Sequence, residues 1–306
     1  MRSYFFKIGT FIYNLPKKII GYPFSKLYFL KSLLTNDHQN HLEILYHSNN
    51  FLVVSKPYDM VINSDNPDLK HSLQAEVRKR FPNLVNPSLC HDFHFVHRLD
   101  YVTSGVICLA LNKKAARAAA NAFANRKVKK YYLALVHGHI QSPYIIIDKA
   151  IGMDIREKDG NHKICTIDSV YCEKPRESYT TLLVLERGFR DNKPATKVLL
   201  YPETGRRHQL RVHCAYIGHT IIGDYTYSEK QDIEPYRTFL HSFRLILKTS
   251  LEDLDVRTSD PFVTSNSRNC WRPTEFVRVL DENTFSDVGL LIRHSNNWNN
   301  RRLLKK

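Results

Sequence analysis

The sequence lacks a long hydrophobic run. No stretch of its 306 residues approaches the ~20 consecutive apolar residues that a membrane-spanning helix requires. Residues 1–36 also lack the uninterrupted apolar core and the small cleavage-site residues of a secretory signal. We therefore expect an intracellular protein without a membrane span.

Closely spaced cysteine pairs are also absent. The six cysteines contain no Cys-x-x-Cys pair, which argues against a zinc ribbon or a redox motif. Because a chain of this length needs no disulfide framework, we interpret them as reduced thiols. His91, His94 and His97 recur near Cys90, but no second, separated group of ligands stands out. We expect no metal.

Acidic residues are missing from both ends of the chain. Residues 1–36 contain six Lys or Arg and no acid, and no acid follows Asp287. The formal net charge is +15 and the pI is about 9.5. Such an excess indicates a polyanionic partner, most often nucleic acid, with an anionic membrane surface as the alternative.

The chain divides into three predicted segments. Residues 1–41 are predicted to be a basic N-terminal extension, either partly disordered or used for targeting. Residues 42–272 form the predicted folded domain, and residues 273–306 a C-terminal extension whose basic tail is disordered from Arg293. We expect a monomer in the cytoplasm or nucleus, and the acid-free N-terminus leaves the mitochondrion open.

Apolar spacing and turn residues predict short strands mixed with a few helices. The predicted strands are 43–46, 51–57, 106–111, 129–138, 180–186, 196–201, 221–224 and 240–247, and the predicted helices are 71–81, 113–126 and 206–217. Because strands and helices do not alternate regularly, we predict an α+β fold with a largely antiparallel sheet.

Residues 95–105 place a charged pair at the entrance to a buried strand. Arg98 and Asp100 precede the turn-forming Thr103-Ser104-Gly105 and the apolar run 106–111. An isolated Arg-x-Asp is usually a surface ion pair, but a charged pair beside a buried strand is costly unless a partner satisfies it. Both interpretations stay open from these residues alone.

Residues 204–213 form a basic cluster. On a helix, Arg207 and Arg211 would share a face at i,i+4, with His208 next to Arg211. Like charges at this spacing are unfavourable unless an anion lies nearby, either a nucleic-acid backbone phosphate or the carboxylate of Asp100. A basic surface helix remains the alternative for Arg206 and Arg207.

Tyr132 lies in an alternating strand and could simply face the core. In an active site it would offer a flat ring for stacking a base and a hydroxyl for proton transfer.

These motifs occur in an order that resembles the RluA-type family of RNA pseudouridine synthases. The resemblance covers about residues 43–262 and is carried by four motifs. They are His97-Arg98-Leu99-Asp100-x-x-Thr103-Ser104-Gly105, Lys130-x-Tyr132-x-Ala134-x-Val136-x-Gly138, Thr204-Gly205-Arg206-x-His208-Gln209-Leu210-Arg211-x-His213, and Gly218-His219-x-Ile221-x-Gly223-Asp224-x-x-Tyr227.

The resemblance implies an enzyme, an isomerase that converts uridine to pseudouridine in structured RNA without a cofactor. It implies a pseudouridine synthase fold for residues 42–272, a long, bent, mostly antiparallel mixed sheet with flanking helices and a central cleft. The RNA could be transfer, ribosomal or messenger RNA. No S4-type RNA-binding module is apparent in residues 1–41.

The resemblance also implies roles for individual residues. Asp100 is the expected nucleophile, Arg211 its basic partner, and Tyr132 the residue that stacks on the base and removes a proton late in the reaction. A guanidinium at ~4 Å contributes on the order of 4 kcal/mol toward keeping a carboxylate charged at an effective dielectric of 20. Arg98 is expected to fill the space of an extruded nucleotide.

We expect four further residues to contact RNA, namely Lys56, Arg206, Arg207 and His208. Lys56 matches an early family motif, but Asp59 stands where the family usually has Gly, which puts the local loop shape in doubt. Two other functions are compatible with the sequence. One is a catalytically silent RNA-binding or RNA-chaperone protein that retains the fold, and the other is a membrane-surface protein anchored by its N-terminal segment.

Overall fold

The computed structural model describes residues 42–65, 71–156 and 163–291. The predictions for residues 1–41 and for the tail from Arg293 lie outside these ranges. Within them, no helix is both long and apolar enough to cross a membrane.

The described residues form one large mixed sheet, one small sheet and four helices. The large sheet has eleven strands, eight of which follow the order β1-β2-β4-β12-β5-β11-β10-β14, and the small one has the order β8-β7-β9. The strands are β1 Glu43–His47, β2 Phe51–Lys56, β3 His94–Phe95, β4 Ser104–Ala110, β5 Val128–His137, β6 Tyr144–Ile147, β7 Ile151–Asp154, β8 Ile164–Thr166, β9 Cys172–Arg176, β10 Thr180–Arg190, β11 Lys193–Pro202, β12 Leu240–Lys248, β13 Asp253–Arg257 and β14 Trp271–Phe276. The helices are α1 Leu73–Arg80, α2 Lys113–Ala124, α3 Gln209–Tyr216 and α4, residues 282–291.

Strand pairing confirms the predicted α+β class. The predicted β1–β2 hairpin forms, and the paired strands of both sheets run antiparallel except β4 and β12, which are parallel. Side chains alternate across the sheet, as the strand period of two requires. Tyr132 and Ala134 of β5 belong to one core cluster, whereas Tyr131 and Leu133 belong to another on the opposite face.

Helix α2 covers β4 with small side chains. Asn112 caps its N-terminus by accepting a hydrogen bond from the Ala115 N–H at 2.8 Å. Ala115, Ala119 and Ala122 are buried and lie on one face at helical spacing. Their methyl groups allow the helix to pack closely on the strand that follows the Asp100 loop.

Gly105 permits the parallel contact between β4 and β12. Its φ is +106°, and a Cβ built at this position would lie 2.1 Å from the carbonyl oxygen of Ser242. Because no side chain fits there, only glycine lets the two backbones approach this closely. This contact holds the start of β4, and with it the preceding Asp100 loop, against the middle of the sheet.

Replacement of Gly105 by alanine should therefore lower the free energy of unfolding by about 2–3 kcal/mol, through the positive φ and the backbone collision together. Gly218→Ala is the matched control, since Gly218 has a φ of +79° but nothing within 4 Å of the point where a Cβ would lie. It should lose only about 1 kcal/mol. Urea unfolding of both variants measures the difference, and equal losses would contradict the packing argument.

Helix α3 begins later than the sequence predicts. Residues 206–208 form a turn, and His208 has a left-handed backbone with φ +53° and ψ +14° before the helix starts at Gln209. The predicted helical pairing of Arg207 with Arg211 is therefore wrong. The predicted end is confirmed, because Gly218 follows the helix with a positive φ.

The sheet continues past the predicted end of the folded domain. Strand β14 pairs with β10 from Trp271 to Phe276, so the predicted boundary between residues 272 and 273 falls inside a strand. Phe285 and Val288 of α4 are buried in the same core cluster as Tyr131. These residues contribute to the core that supports β5.

Candidate active site

Asp100 lies in the loop that joins β3 to β4. Its carbonyl oxygen accepts a hydrogen bond from the Thr103 N–H at 3.1 Å, which closes a turn just before β4 begins. The neighbouring Leu99 is buried in the core and anchors the loop. The Asp100 side chain is 18% exposed, so its carboxylate borders a cavity instead of bulk water.

Lys56 anchors this loop through hydrogen bonds to backbone carbonyl oxygens. Its ammonium donates to the carbonyl oxygens of Pro57 and Met60, each at 2.8 Å, and to that of Tyr101 at 3.2 Å. Burial lowers the pKa of Lys56 to about 7, against the opposing charges of Asp59 and Asp100. Because all three N–H groups are bonded inside the protein, the prediction that Lys56 contacts RNA is corrected to a structural role.

Arg211 of α3 lies between two carboxylates. Its Nε and Nη2 donate to the two oxygens of Asp224 at 2.7 and 2.8 Å, a bidentate pair. Its remaining Nη1 lies 3.6 Å from Oδ2 of Asp100. Burial acts to lower the pKa of Arg211, but the charges and hydrogen bonds of its carboxylate neighbours outweigh burial and raise it.

Asp224 is the site residue that the sequence did not identify. Its side chain is fully buried, and Oδ1 also accepts the backbone N–H groups of Thr226 and Tyr227 at 3.1 and 3.3 Å. Asp224 fixes the plane of the Arg211 guanidinium and thereby aims one nitrogen at Asp100. The signal was present, because Asp224 belongs to the last of the four motifs, but that motif did not reveal its partner.

His208 approaches Asp100 from the turn before α3. Its Nε2 lies 4.0 Å from Oδ2 of Asp100, and its Nδ1 is hydrogen-bonded to the Tyr227 hydroxyl at 3.0 Å. Burial and the charge of Arg211 lower the pKa of His208 to about 4, although Asp100 opposes the shift. His208 is therefore a neutral imidazole at neutral pH.

Tyr132 projects from β5 toward the same cavity. Its side chain is nearly buried. Burial and the charge of Asp100 raise its pKa, and an interaction with Ser242 offsets this only partly. Tyr132 is consequently a neutral phenol beside the carboxylate.

These side chains surround a cavity of about 260 Å³. Arg98 and Arg207 are exposed at its edge, while Arg206 is half-buried and donates from Nε to the Glu177 carbonyl at 3.2 Å. The predicted site residues that line the cavity are Arg98, Asp100, Tyr132, Arg206, Arg207, His208 and Arg211. The structure thus brings together every predicted site residue except Lys56.

The histidines near Cys90 do not act as one group. His97 accepts the Cys108 N–H through Nε2 at 2.8 Å and stacks on Phe123. His91 lies instead near Asp65 and Cys90, and one atom from each of these three side chains lies within 4.8 Å of the others. The expectation of no metal stays a prediction.

Comparisons with known proteins define the class. Residues 50–216 match the model of the RNA pseudouridylate synthase family. The chain therefore belongs to this family.

The relatives are similar over most of the chain. RNA pseudouridylate synthase domain-containing protein 1 of Homo sapiens is 45% identical over 243 residues, which cover 79% of this chain and 77% of the relative. The dual-specificity RNA pseudouridine synthase RluA of Escherichia coli is 33% identical over 209 residues, covering 67% and 86%. The solved structure of Human RNA Pseudouridylate Synthase Domain Containing 1 superposes with a TM-score of 0.71 at 42% identity, covering 80% of this chain and 94% of that one.

Proposed function

We propose that this protein is an active RNA pseudouridine synthase with Asp100 as the nucleophile. The observation that supports this most directly is the Asp224–Arg211–Asp100 arrangement, in which a guanidinium locked by one buried carboxylate faces a second one at 3.6 Å. Family membership supports RNA as the substrate.

The carboxylate of Asp100 forms a bond to C1′ of the uridine while the N1–C1′ bond breaks and leaves its electron pair on uracil. The base turns, C5 bonds to C1′, and the carboxylate is released. The proton on C5 is then lost and N1 gains one, so the reaction is an isomerisation. Attack requires an ionised carboxylate in a site with little water, and Arg211 favours that charge.

Tyr132 is better suited to stack on the uracil ring than to act as a general base. Removal of the C5 proton by Tyr132 would require its phenolate, which burial and the charge of Asp100 disfavour. A neutral phenol ring can still pack on an extruded uracil and order it for attack. The cavity, about 260 Å³, lies just below the ~300–1,000 Å³ of drug-sized ligand sites, and so suits one nucleoside.

The arginines at the cavity edge support binding of the RNA backbone. Arg98 and Arg207 are exposed at the edge of the cavity that Asp100 lines. Burial and the charge of Arg98 lower the pKa of Arg207, although the charge of Asp100 opposes the shift. Two guanidiniums that repel each other are both stabilised by a phosphate. Extruding the uridine costs a few kcal/mol, and we propose that the exposed Arg98 side chain fills the vacated space.

The purified chain should release tritium from cellular RNA labelled at C5 of uridine, because pseudouridine formation replaces the C5–H bond with C5–C1′. We expect release without an added cofactor and in the presence of a chelator, and digestion of the RNA should yield pseudouridine. Binding of the same RNA without tritium release would instead support the silent RNA-binding protein.

A further inference from the structure

Lys130 is a cation of the cavity that the proposed reaction does not use. It lies on β5 two residues before Tyr132 and therefore on the same face of the strand. Its ammonium donates to the Thr204 carbonyl at a long 3.4 Å and lies 3.3 Å from the point where a Gly205 side chain would begin. Because Gly205 has no side chain, the ammonium is not shielded on that side.

The surroundings leave the charge of Lys130 uncompensated. Among the described residues, no carboxylate lies within 4 Å of the ammonium, and the Thr204 carbonyl is its one hydrogen-bond partner. His97 faces it but is neutral, since burial and the charge of Lys130 lower the pKa of His97 to about 3. Asp100, the acid in the cavity lining, is already matched by Arg211.

Lys130 is half-buried, and two of its three N–H donors have no acceptor in the described residues. A charge that is partly removed from water without a partner is unfavourable. An anionic ligand would supply both the opposite charge and the acceptors. The other cations of the lining do not compete for this position. Arg211 is paired with two carboxylates, and Arg98, Arg206 and Arg207 are more exposed or bonded elsewhere.

We propose that the ammonium of Lys130 binds a phosphate of the RNA backbone next to the extruded uridine. The cavity then contains a phosphate subsite beside the base pocket. This inference rests on the proposed function, because it takes RNA as the ligand of the same cavity.

The position of Lys130 favours a phosphate over a carbonyl oxygen of uracil. Two residues of a strand span about 7 Å, so Lys130 is displaced along β5 from the Tyr132 ring that faces the base. A phosphate carries a full negative charge, whereas a uracil carbonyl would leave the lysine charge unbalanced.

The protonation of Lys130 is consistent with this role. Burial lowers the pKa of Lys130 to about 8, so the free protein begins to lose this charge just above neutral pH. Phosphate binding requires the protonated form, and the RNA dissociation constant should therefore rise as pH increases through 8. Of the other groups lining the cavity, burial lowers the pKa of His97 to about 3 and that of His208 to about 4, and it raises the pKa of Tyr132. Lys56 lies outside the lining beneath the Asp100 loop, and its pKa is about 7.

The test compares Lys130→Gln and Lys130→Arg with the wild type. Lys129→Gln is the matched control, because Lys129 is an exposed residue on the opposite face of the same strand. The probe is a fluorescent stem–loop RNA with one unpaired uridine, prepared with normal linkages or with one uncharged methylphosphonate on either side of that uridine. Dissociation constants are measured by anisotropy against salt and pH.

Lys130→Gln should weaken binding about tenfold and reduce the slope of log Kd against log salt by about 0.7–0.9. One of the two methylphosphonate substitutions should weaken RNA binding by the wild type. The same substitution should cause no further loss of affinity in Lys130→Gln. Lys130→Arg should keep the affinity and lose the change in Kd near pH 8. A change near pH 7 that arises from Lys56 should persist in this variant, because Lys56 is unaltered. Lys129→Gln should behave like the wild type, because an exposed charge contributes little.

The phosphate subsite is overturned if each methylphosphonate weakens Lys130→Gln as much as the wild type, which would point to the uracil base. It is also overturned if Lys130→Gln and Lys129→Gln bind alike. The tritium assay is independent of these outcomes. If one methylphosphonate loses its effect in Lys130→Gln but no tritium is released, the subsite stands and the proposed catalytic activity fails.

Discussion

Replacement of Asp100 by asparagine should abolish pseudouridine formation while RNA binding persists. The amide keeps the shape of the side chain but has no nucleophilic carboxylate, so the rate should fall by at least about a thousandfold. Affinity should stay equal or improve, since removing a negative charge from a cationic cavity reduces repulsion of phosphate. Tritium release and anisotropy measure the two effects on the same RNA.

Asp191→Asn is the matched control for this experiment. Asp191 is exposed in the β10–β11 turn with a φ of +51°, a conformation that asparagine also tolerates. It should retain full activity. In cells, pseudouridines that disappear in the Asp100→Asn strain and persist with Asp191→Asn identify the target RNA. Turnover by Asp100→Asn would contradict the assignment of the nucleophile.

Replacement of Asp224 by asparagine should cost both stability and activity. Arg211 would keep its buried charge but lose its bidentate partner, and breaking such a pair typically costs about 3–5 kcal/mol. The guanidinium would also be free to turn from its position 3.6 Å from Asp100. We expect a lower midpoint of urea unfolding and a kcat reduced more than the apparent affinity for RNA.

Asp255→Asn provides the comparison for Asp224→Asn. Asp255 forms an equally close bidentate pair with Arg244, at 2.7 and 2.6 Å, but its side chain is 49% exposed. Arg244 also keeps Glu282 as a second partner. Solvent screening should limit the loss to about 1 kcal/mol or less. If both variants lost the same stability, burial of the Asp224–Arg211 pair would not be the cause.

Local patterns in the sequence were sufficient to predict most individual strands and helices. The β1–β2 hairpin and helix α2 form where alternation and the alanine-rich face predict them, because these elements depend on neighbouring residues. The order of the motifs was sufficient to predict the family, and the comparisons confirm that prediction. The start of α3 was missed because His208 adopts a left-handed backbone, which departs from the helical pattern of the residues around it.

The sequence by itself determined which residue types are available to the site, with Asp100, Tyr132 and Arg211 in recognisable motifs. The tertiary structure decided which of them meet. It placed Asp224 against Arg211 and buried Lys56 under the Tyr101 carbonyl. It also brought Lys130 to the Thr204–Gly205 backbone. Such long-range contacts arise from the parallel junction at Gly105 and from the packing of α3, and residue spacing along the chain does not specify them.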